Sequence, residues 1–566
     1  MQTRRCFGIV ATLLMAALSI LATACSRDGA EWVFRGGRVY TADPQRRMAE
    51  AVAVDAGRIV YVGDVAGVSD FLGTDTRVVD LAGQLLLPSF TDAHVHMLEG
   101  GATLDACNLA GIAEKDAILA SIAEYAAKHP DMEWVAGSGW SLAAFPDANP
   151  RREDLDRIVP DRPVFLIAED GHSGWANSRA LAAAKIDRAT PDPQRGRIER
   201  DTATGEPSGT LRETAMEPVQ ALAFDIGPIT ALRALHRAVA SAHAFGITSF
   251  VEARATISDY DWAYRALDLA GMLDARVVLS MWFDPARGDE QFAEFESRRD
   301  ADFTQHVRAT AVKLFADGVA ESRTAYLLEP YEGGSDYGIP NFESGRLAEI
   351  ATRLDREGFQ LHFHAIGDAA VRAALDAIAT ARDHNGRRDA RDHIAHLQLV
   401  DPADWPRFAA LGVFANVQAL WAFPAPYVMD LDIPALGAAR TQRMYPIGSL
   451  AREAAPLVAG SDWPVSSMNP LEAIQVALTR RDPRDPAGAP LGPEQRVDLA
   501  TMIDAYTIGG ARLVRAETES GSIEVGKSAD LVVFDRDLFA IAPEEIAGAK
   551  AVLTLFEGEA VYDPER

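Results

Sequence analysis

Short apolar runs, each closed by turn residues or by a knot of polar ones, recur along most of the chain and alternate with amphipathic stretches. Runs near Leu85–Thr91, Ile247–Glu252, Arg276–Phe283, Thr310–Phe315, Gln360–His364, Ile394–Leu397, Gly412–Gln418 and Pro456–Ala459 predict eight strands. Helical periodicity fills most of the gaps, as in Leu347–Arg356 and Ala369–Arg382. Strand and helix in alternation predict a parallel sheet closed by helices, an α/β fold of the (β/α)8 TIM barrel kind.

The two ends of the chain read differently. Trp32–Thr41, Ala51–Val54 and Gly57–Gly63 are short strands set off by glycine turns, and Ala529–Phe534, Ala551–Phe556 and the segment to Tyr562 have the same texture. Each set is too small for a core of its own, so the two predict one composite β-sandwich, residues 31–84 with 520–566, bracketing a barrel over 85–519. The stretch between the first two barrel strands is too long for one crossover helix. It predicts an insertion over about 104–225 that overhangs the barrel mouth. Arg480–Glu494, rich in Pro, Gly and charge, reads as a surface loop.

Composition adds little against this picture: 48% hydrophobic and 8% aromatic residues suit a globular chain of 566 residues. A formal charge of -27 opposes nucleic acid and acidic membrane surfaces as partners and favours a solvated acidic surface. Oligomeric state is not legible. The first residues form a leader: Arg4 and Arg5, an apolar stretch from Phe7 to Ala24, then small residues before Cys25. Thr3-Arg4-Arg5-Cys6-Phe7 looks like a twin-arginine signal, and Leu21-Ala22-Thr23-Ala24-Cys25 resembles a lipobox with Ala22 where Leu is commonest. Residues 1–25 are therefore expected to be a cleaved signal peptide, the protein exported and periplasmic or held to the membrane by lipid on Cys25; an uncleaved anchor is the alternative. Removing the leader leaves Cys107 as the one cysteine, so no internal disulfide framework is possible.

The chemistry sits where strands end. In Asp92-Ala93-His94-Val95-His96, alternation puts His94 and His96 on one face, where two imidazoles can grip one metal ion. His364 and His396 end later strands, and Asp462 follows Pro456–Ser461; together they supply the donors of a metal site at the carboxyl rim of a barrel. Asp462 can ligate an ion and carry a proton, or cap a helix. His362 shares a face with His364 and either lines the site or lies deeper. His393, three before His396, is expected on the other side of its strand, in a helix contact or at the surface. Lys313 lies within an apolar strand ending where the histidines end, and reads either as an amine carboxylated by carbon dioxide or as a buried ion pair with Asp317 or Glu252. His172 is a candidate to face the substrate or to hold its own loop; Trp140, Trp175, Trp421 and Phe423 line a pocket or pack in cores.

Beside these segments, Asp170–Ser178, Gly205–Gly209, Gly246–Ser249, Ser461–Val465 and Gly521–Asp530 resemble the amidohydrolase superfamily, in particular amidohydrolase family 3, which includes N-substituted formamide deformylases. The resemblance spans about Val33 to Tyr562. It implies a distorted barrel with a bipartite β-sandwich and one or two divalent ions, usually zinc. His94 and His96 would hold one ion with Asp462, His364 and His396 the other, and a carbamate on Lys313 would bridge them. It implies hydrolysis of a non-peptide carbon–nitrogen bond of the amide or formamide type in a small-molecule substrate, expected to be a small neutral or hydrophobic amide; His172 and Trp421 are the candidates to face it. Gln418-Ala419-Leu420-Trp421 replaces the Gln-Pro and histidine that relatives carry near the seventh strand, so substrate preference does not transfer. The alternatives are another bond at the same metal site, a lactone or phosphoester, or a ligand-binding protein without activity on the same scaffold.

Overall fold

A computed structural model describes residues 29–565 except 105, 225–226, 257–260, 302 and 344, so the leader with Cys6 and Cys25 lies outside the described residues. Eight parallel strands form the central sheet: β1 (Phe90–Val95), β2 (Ile247–Ala255), β3 (Arg276–Trp282), β4 (Val307–Phe315), β5 (Gln360–Ala365), β6 (His393–His396), β7 (Phe414–Val417) and β8 (Leu457–Ala459). They follow one another in spatial order, each paired with its neighbours in sequence. The barrel closes at its mouth between the end of the first strand and the segment after the last: Asp462 N–H donates to His94 C=O at 2.7 Å, and His96 N–H to Trp463 C=O at 2.9 Å. Helices Arg346–Arg356 and Asp368–Asn385 pack outside β5, turning Leu347, Ile350, Leu354, Val371, Leu375 and Ile378 into the main core. Because helices cover the outside and side chains fill the inside, the strands are apolar on both faces, as the unbroken runs in the sequence anticipated.

The first barrel strand starts later than expected. Leu85–Pro88 pairs antiparallel with Leu531–Phe534 in the terminal sheet, and β1 begins at Phe90. Pro88 has no N–H to continue a ladder, and Ser89 N–H turns to Asp530 C=O at 2.9 Å, so the single apolar run Leu85–Thr91 serves two sheets in succession. Strands from both ends of the chain join one eight-stranded sheet. Its core sets Trp32, Phe34, Val52 and Val54 against Leu531, Val533, Leu553 and Leu555.

Between β1 and β2 a separate six-stranded sheet runs from Cys107–Asn108 to Pro207–Glu213. Its core contains Trp140 and Trp175, both at 0% exposure, with indole N–H groups given to Leu166 C=O and Arg151 C=O. These two tryptophans are core residues of the insertion rather than walls of a pocket. Cys107 is a free, buried thiol whose pKa burial pushes up to about 12. The loop over 480–494 is tied down at its start: Arg480 is fully buried and donates to the carbonyls of Leu491, Tyr445 and Met444. Beyond it, Asp482, Pro483 and Arg484 border the main cavity. Among the described residues no helix is long and apolar enough to cross a membrane.

Candidate metal centre

A cavity of about 1170 Å³ opens at the carboxyl ends of the strands, and the six residues picked as ligands all border it. Their donor atoms converge. Asp462 Oδ1 lies 3.3 Å from His94 Nε2 and 3.1 Å from His96 Nε2, and its Oδ2 lies 3.9 Å from His396 Nδ1. Lys313 Nζ is 3.2 Å from His94 Nε2. The His364 ring sits 4.5 Å from the His396 ring, centroid to centroid. Donor atoms of His94, His396 and Asp462 fall within 4.8 Å of one another, the spacing that one cation can bridge.

Backbone geometry at the strand ends makes this possible. His396 and Asp462 have φ of 80° and 56°, a left-handed conformation that breaks the extended alternation and swings each side chain into the mouth. The break explains His393. It is fully buried inside the barrel, its ring stacked on His362 at 3.9 Å and its Nδ1 3.1 Å from Asn416 Nδ2, so the expected helix contact or surface role does not hold. His362 takes the deeper of its two positions. Its Nε2 meets His94 Nδ1 at 2.9 Å and its Nδ1 meets Ser280 Oγ at 2.9 Å, so it braces His94 from behind while His94 Nε2 faces the site.

Asp317 and Glu252 are not ion-pair partners of Lys313. Asp317 accepts the N–H groups of Tyr326, Ile366 and Gly367 and lies 3.4 Å from His364 Nδ1, which orients that imidazole. Glu252 accepts from Tyr264 Oη and from Leu98 N–H and lies 3.8 Å from His96 Nδ1. These supporting carboxylates gave no periodic signal in the sequence; each lies on a barrel strand or just after one, which was the available clue. Asp92 is a further support, accepting from Ser461 N–H at 3.0 Å and His94 N–H at 3.1 Å.

Burial sets the protonation states. It drives His94 down to about 3 and holds His362, His364, His393 and His396 well below the usual range, so these rings are neutral with lone pairs to give. Burial also pulls the Lys313 amine down to about 7. Burial works against the Asp462 charge, but the contacts from His94 and His96 hold its carboxyl well below the ordinary value. His172 behaves oppositely. Burial disfavours its charge, yet Glu213, at 2.8 Å from Nδ1, raises it to about 9, and its ring lies 5.4 Å from that of His364 at the cavity wall. Trp421 stacks flat on His396 at 5.3 Å and 7°, and Phe423 borders the same space.

Residues 77–562 match the amidohydrolase family. The chain belongs to that family, and it is a hydrolase. It is 30% identical over 547 residues to the protein LONG AFTER FAR-RED 3 of Arabidopsis thaliana, covering 94% of this chain and 92% of that one. It is 28% identical to the N-substituted formamide deformylase of Arthrobacter pascens, over 93% and 97% of the two chains. A crystal structure of a metal-dependent hydrolase from Pyrococcus horikoshii superposes with a TM-score of 0.71 at 23% identity, over 90% of this chain and 99% of that one. Such a superposition establishes the shared barrel fold.

Proposed function

We propose that this cavity hydrolyses a carbon–nitrogen bond in a small amide of the formamide type, using one or two divalent ions held by His94, His96, His364, His396, Asp462 and Lys313. One observation carries the reading: donor atoms of His94, His396 and Asp462 lie within 4.8 Å of one another, and His396 Nδ1 and Asp462 Oδ1 are buried with no hydrogen-bond partner. Buried polar atoms left bare are costly, and a shared cation satisfies both. Imidazole nitrogens with a carboxylate favour zinc. When bound, the ion supplies Lewis acidity toward water and a carbonyl oxygen.

The chain's own groups do the rest. Asp462, ionised and central, takes a proton from the attacking water and returns it to the leaving nitrogen. The water oxygen bonds to the carbonyl carbon, the carbon–nitrogen bond breaks, and the amine departs neutral with a carboxylic acid as the other product. His172, kept protonated by Glu213, donates toward the carbonyl oxygen as negative charge builds there. Trp421 offers an apolar wall beside His396. The neutral amine of Lys313 would bond the carbon of carbon dioxide and release a proton, giving an anionic carbamate that would serve as a further ligand for the ions. The formamide deformylase among the relatives supports the choice of bond.

The test is turnover of N-formyl amines, N-acyl amino acids, lactones and phosphotriesters by metal-replete protein, with Asp462→Asn beside it. Amide turnover that drops about 10²–10⁴-fold in a folded Asp462→Asn protein is the expected result. Turnover of lactones or phosphotriesters alone, or near-normal activity without the carboxylate, sinks the proposal.

A further inference from the structure

Among the described residues the fully buried arginines are all hydrogen-bonded. Arg480 donates to three carbonyls, and Arg212 to Ser173 Oγ, Ala148 C=O and Asn149 Oδ1. Of the arginines on the cavity wall, Arg195 pairs with Asp284 and Arg484 with Asp482. Arg254 borders the same cavity, yet among the described residues its guanidinium has no hydrogen bond and no ion pair, and its Nε is buried without a partner.

Its position is fixed. Arg254 is the single position of β2 that is not fully buried. Glu252, two residues earlier, lies 3.8 Å from His96, and the β2–β3 pairing shifts register between Glu252 and Ala255, an irregularity that sets Arg254 at the cavity wall beyond Glu252. The guanidinium lies 4.5 Å from the ring centroid of Trp282, at the end of β3. An aromatic platform holds the plane of the cation and leaves the N–H edge free for an acceptor, the geometry that matches a carboxylate with two parallel bonds. Glu217 is also on the wall but not in ion-pair contact with it. Elsewhere on the wall Arg195 and Arg484 are already paired with carboxylates, and His172 and Lys313 sit at the metal centre, so Arg254 is the cation left for a substrate anion away from that centre.

We infer that Arg254, held over the Trp282 ring, binds a carboxylate on the substrate, so that the amides taken by this site are acyl or formyl derivatives of amino acids or other carboxylate-bearing amines. The inference rests on the cavity being the reaction site proposed above. It names the substrate class and sets the orientation, with the carboxylate toward β2 and β3.

Two probes that cannot be hydrolysed separate this from the choice of bond: 3-phenylpropionate and 3-phenylpropanol, titrated calorimetrically into metal-replete protein. Wild type is expected to bind the carboxylate at least tenfold more tightly than the alcohol. Arg254→Ala should abolish that preference while leaving alcohol binding and the melting temperature in place, and Arg254→Lys should keep part of it. The matching kinetic result is a fall in kcat/KM for N-formylphenylalanine, carried by KM, with N-formylphenethylamine unaffected. Equal binding of the two probes by wild type overturns the inference, as does a preference that survives in Arg254→Ala. If neither formyl compound turns over while the preference still depends on Arg254, the amide reading fails and the carboxylate subsite stands.

Discussion

Lys313 is the residue whose chemistry depends most on where it is put. Its amine is fully buried, brought down to about 7 by that burial, and set 3.2 Å from His94 Nε2 instead of beside a carboxylate. A lysine in that state is partly neutral at physiological pH, which is the form that reacts with carbon dioxide. Lys313→Ala is therefore expected to lose bound metal and most activity, with partial recovery on adding formate, acetate or propionate, because a small carboxylate can occupy the place of the carbamate. Metal content by plasma emission and turnover measured side by side decide it. Full metal content with no recovery would make the lysine structural. The six proposed ligand positions were legible because each is a polar residue within or just after an apolar run. His362 and His393 were not separable on that basis, since alternation says which face a side chain takes and nothing about depth. Only the packed structure shows that both lie beneath the ligands, one bracing His94 and the other stacked below it.

At the scale of elements, the site depends on how closely β8 approaches β1. A Cβ added at Gly460 would lie 2.6 Å from His94 N and 2.8 Å from its Cβ, contacts with rigid backbone that only glycine avoids. Gly460→Ala is expected to push β1 from β8, costing about 1–3 kcal/mol as overpacking does, and to weaken metal binding more than its distance from the substrate would imply. Chemical denaturation and metal titration check both halves, and unchanged metal affinity would show that the rim tolerates the shift. Helices such as Asp368–Asn385 and most barrel strands were readable because their periodicity is enforced by a face that must be buried. The start of β1 was not. Both strands, Leu85–Pro88 and Phe90–Val95, are buried throughout, and nothing in a run buried on both sides marks where one sheet hands the chain to another; that is settled by the distant partner strand Leu531–Phe534. The left-handed turn at His396 escaped for a related reason, because a strained φ in a non-glycine residue leaves no compositional trace.

Across the whole molecule, barrel and terminal sheet are joined by a charged cluster at the strand entrances, far from the mouth. Arg276, at the start of β3, pairs with Asp530 and with Glu557, the latter at 2.7 Å. His306, immediately before β4, sets Nδ1 2.7 Å from Asp268 Oδ1 and Nε2 3.4 Å from Glu557 Oε1, with its ring against Phe556. Burial alone would lower the imidazole, but Glu557 and Asp268 together raise it above its ordinary value. A group raised in the folded state stabilises fully below its unfolded pKa, near 6.5, and that contribution is lost as pH rises through the folded value. The sheet formed by both chain ends should therefore be clamped to the barrel more firmly in mild acid than in mild alkali, by about 1 kcal/mol or less for pairs partly open to solvent. His306→Asn removes the titrating group: its melting temperature should fall below wild type at pH 6 and approach it by pH 9. The gap at pH 6 should also shrink in high salt, since screening weakens a charged pair more than a neutral hydrogen bond. A gap of constant size across that range would mean that His306 acts through shape and neutral hydrogen bonding, leaving Arg276 as the cation that joins the two sheets.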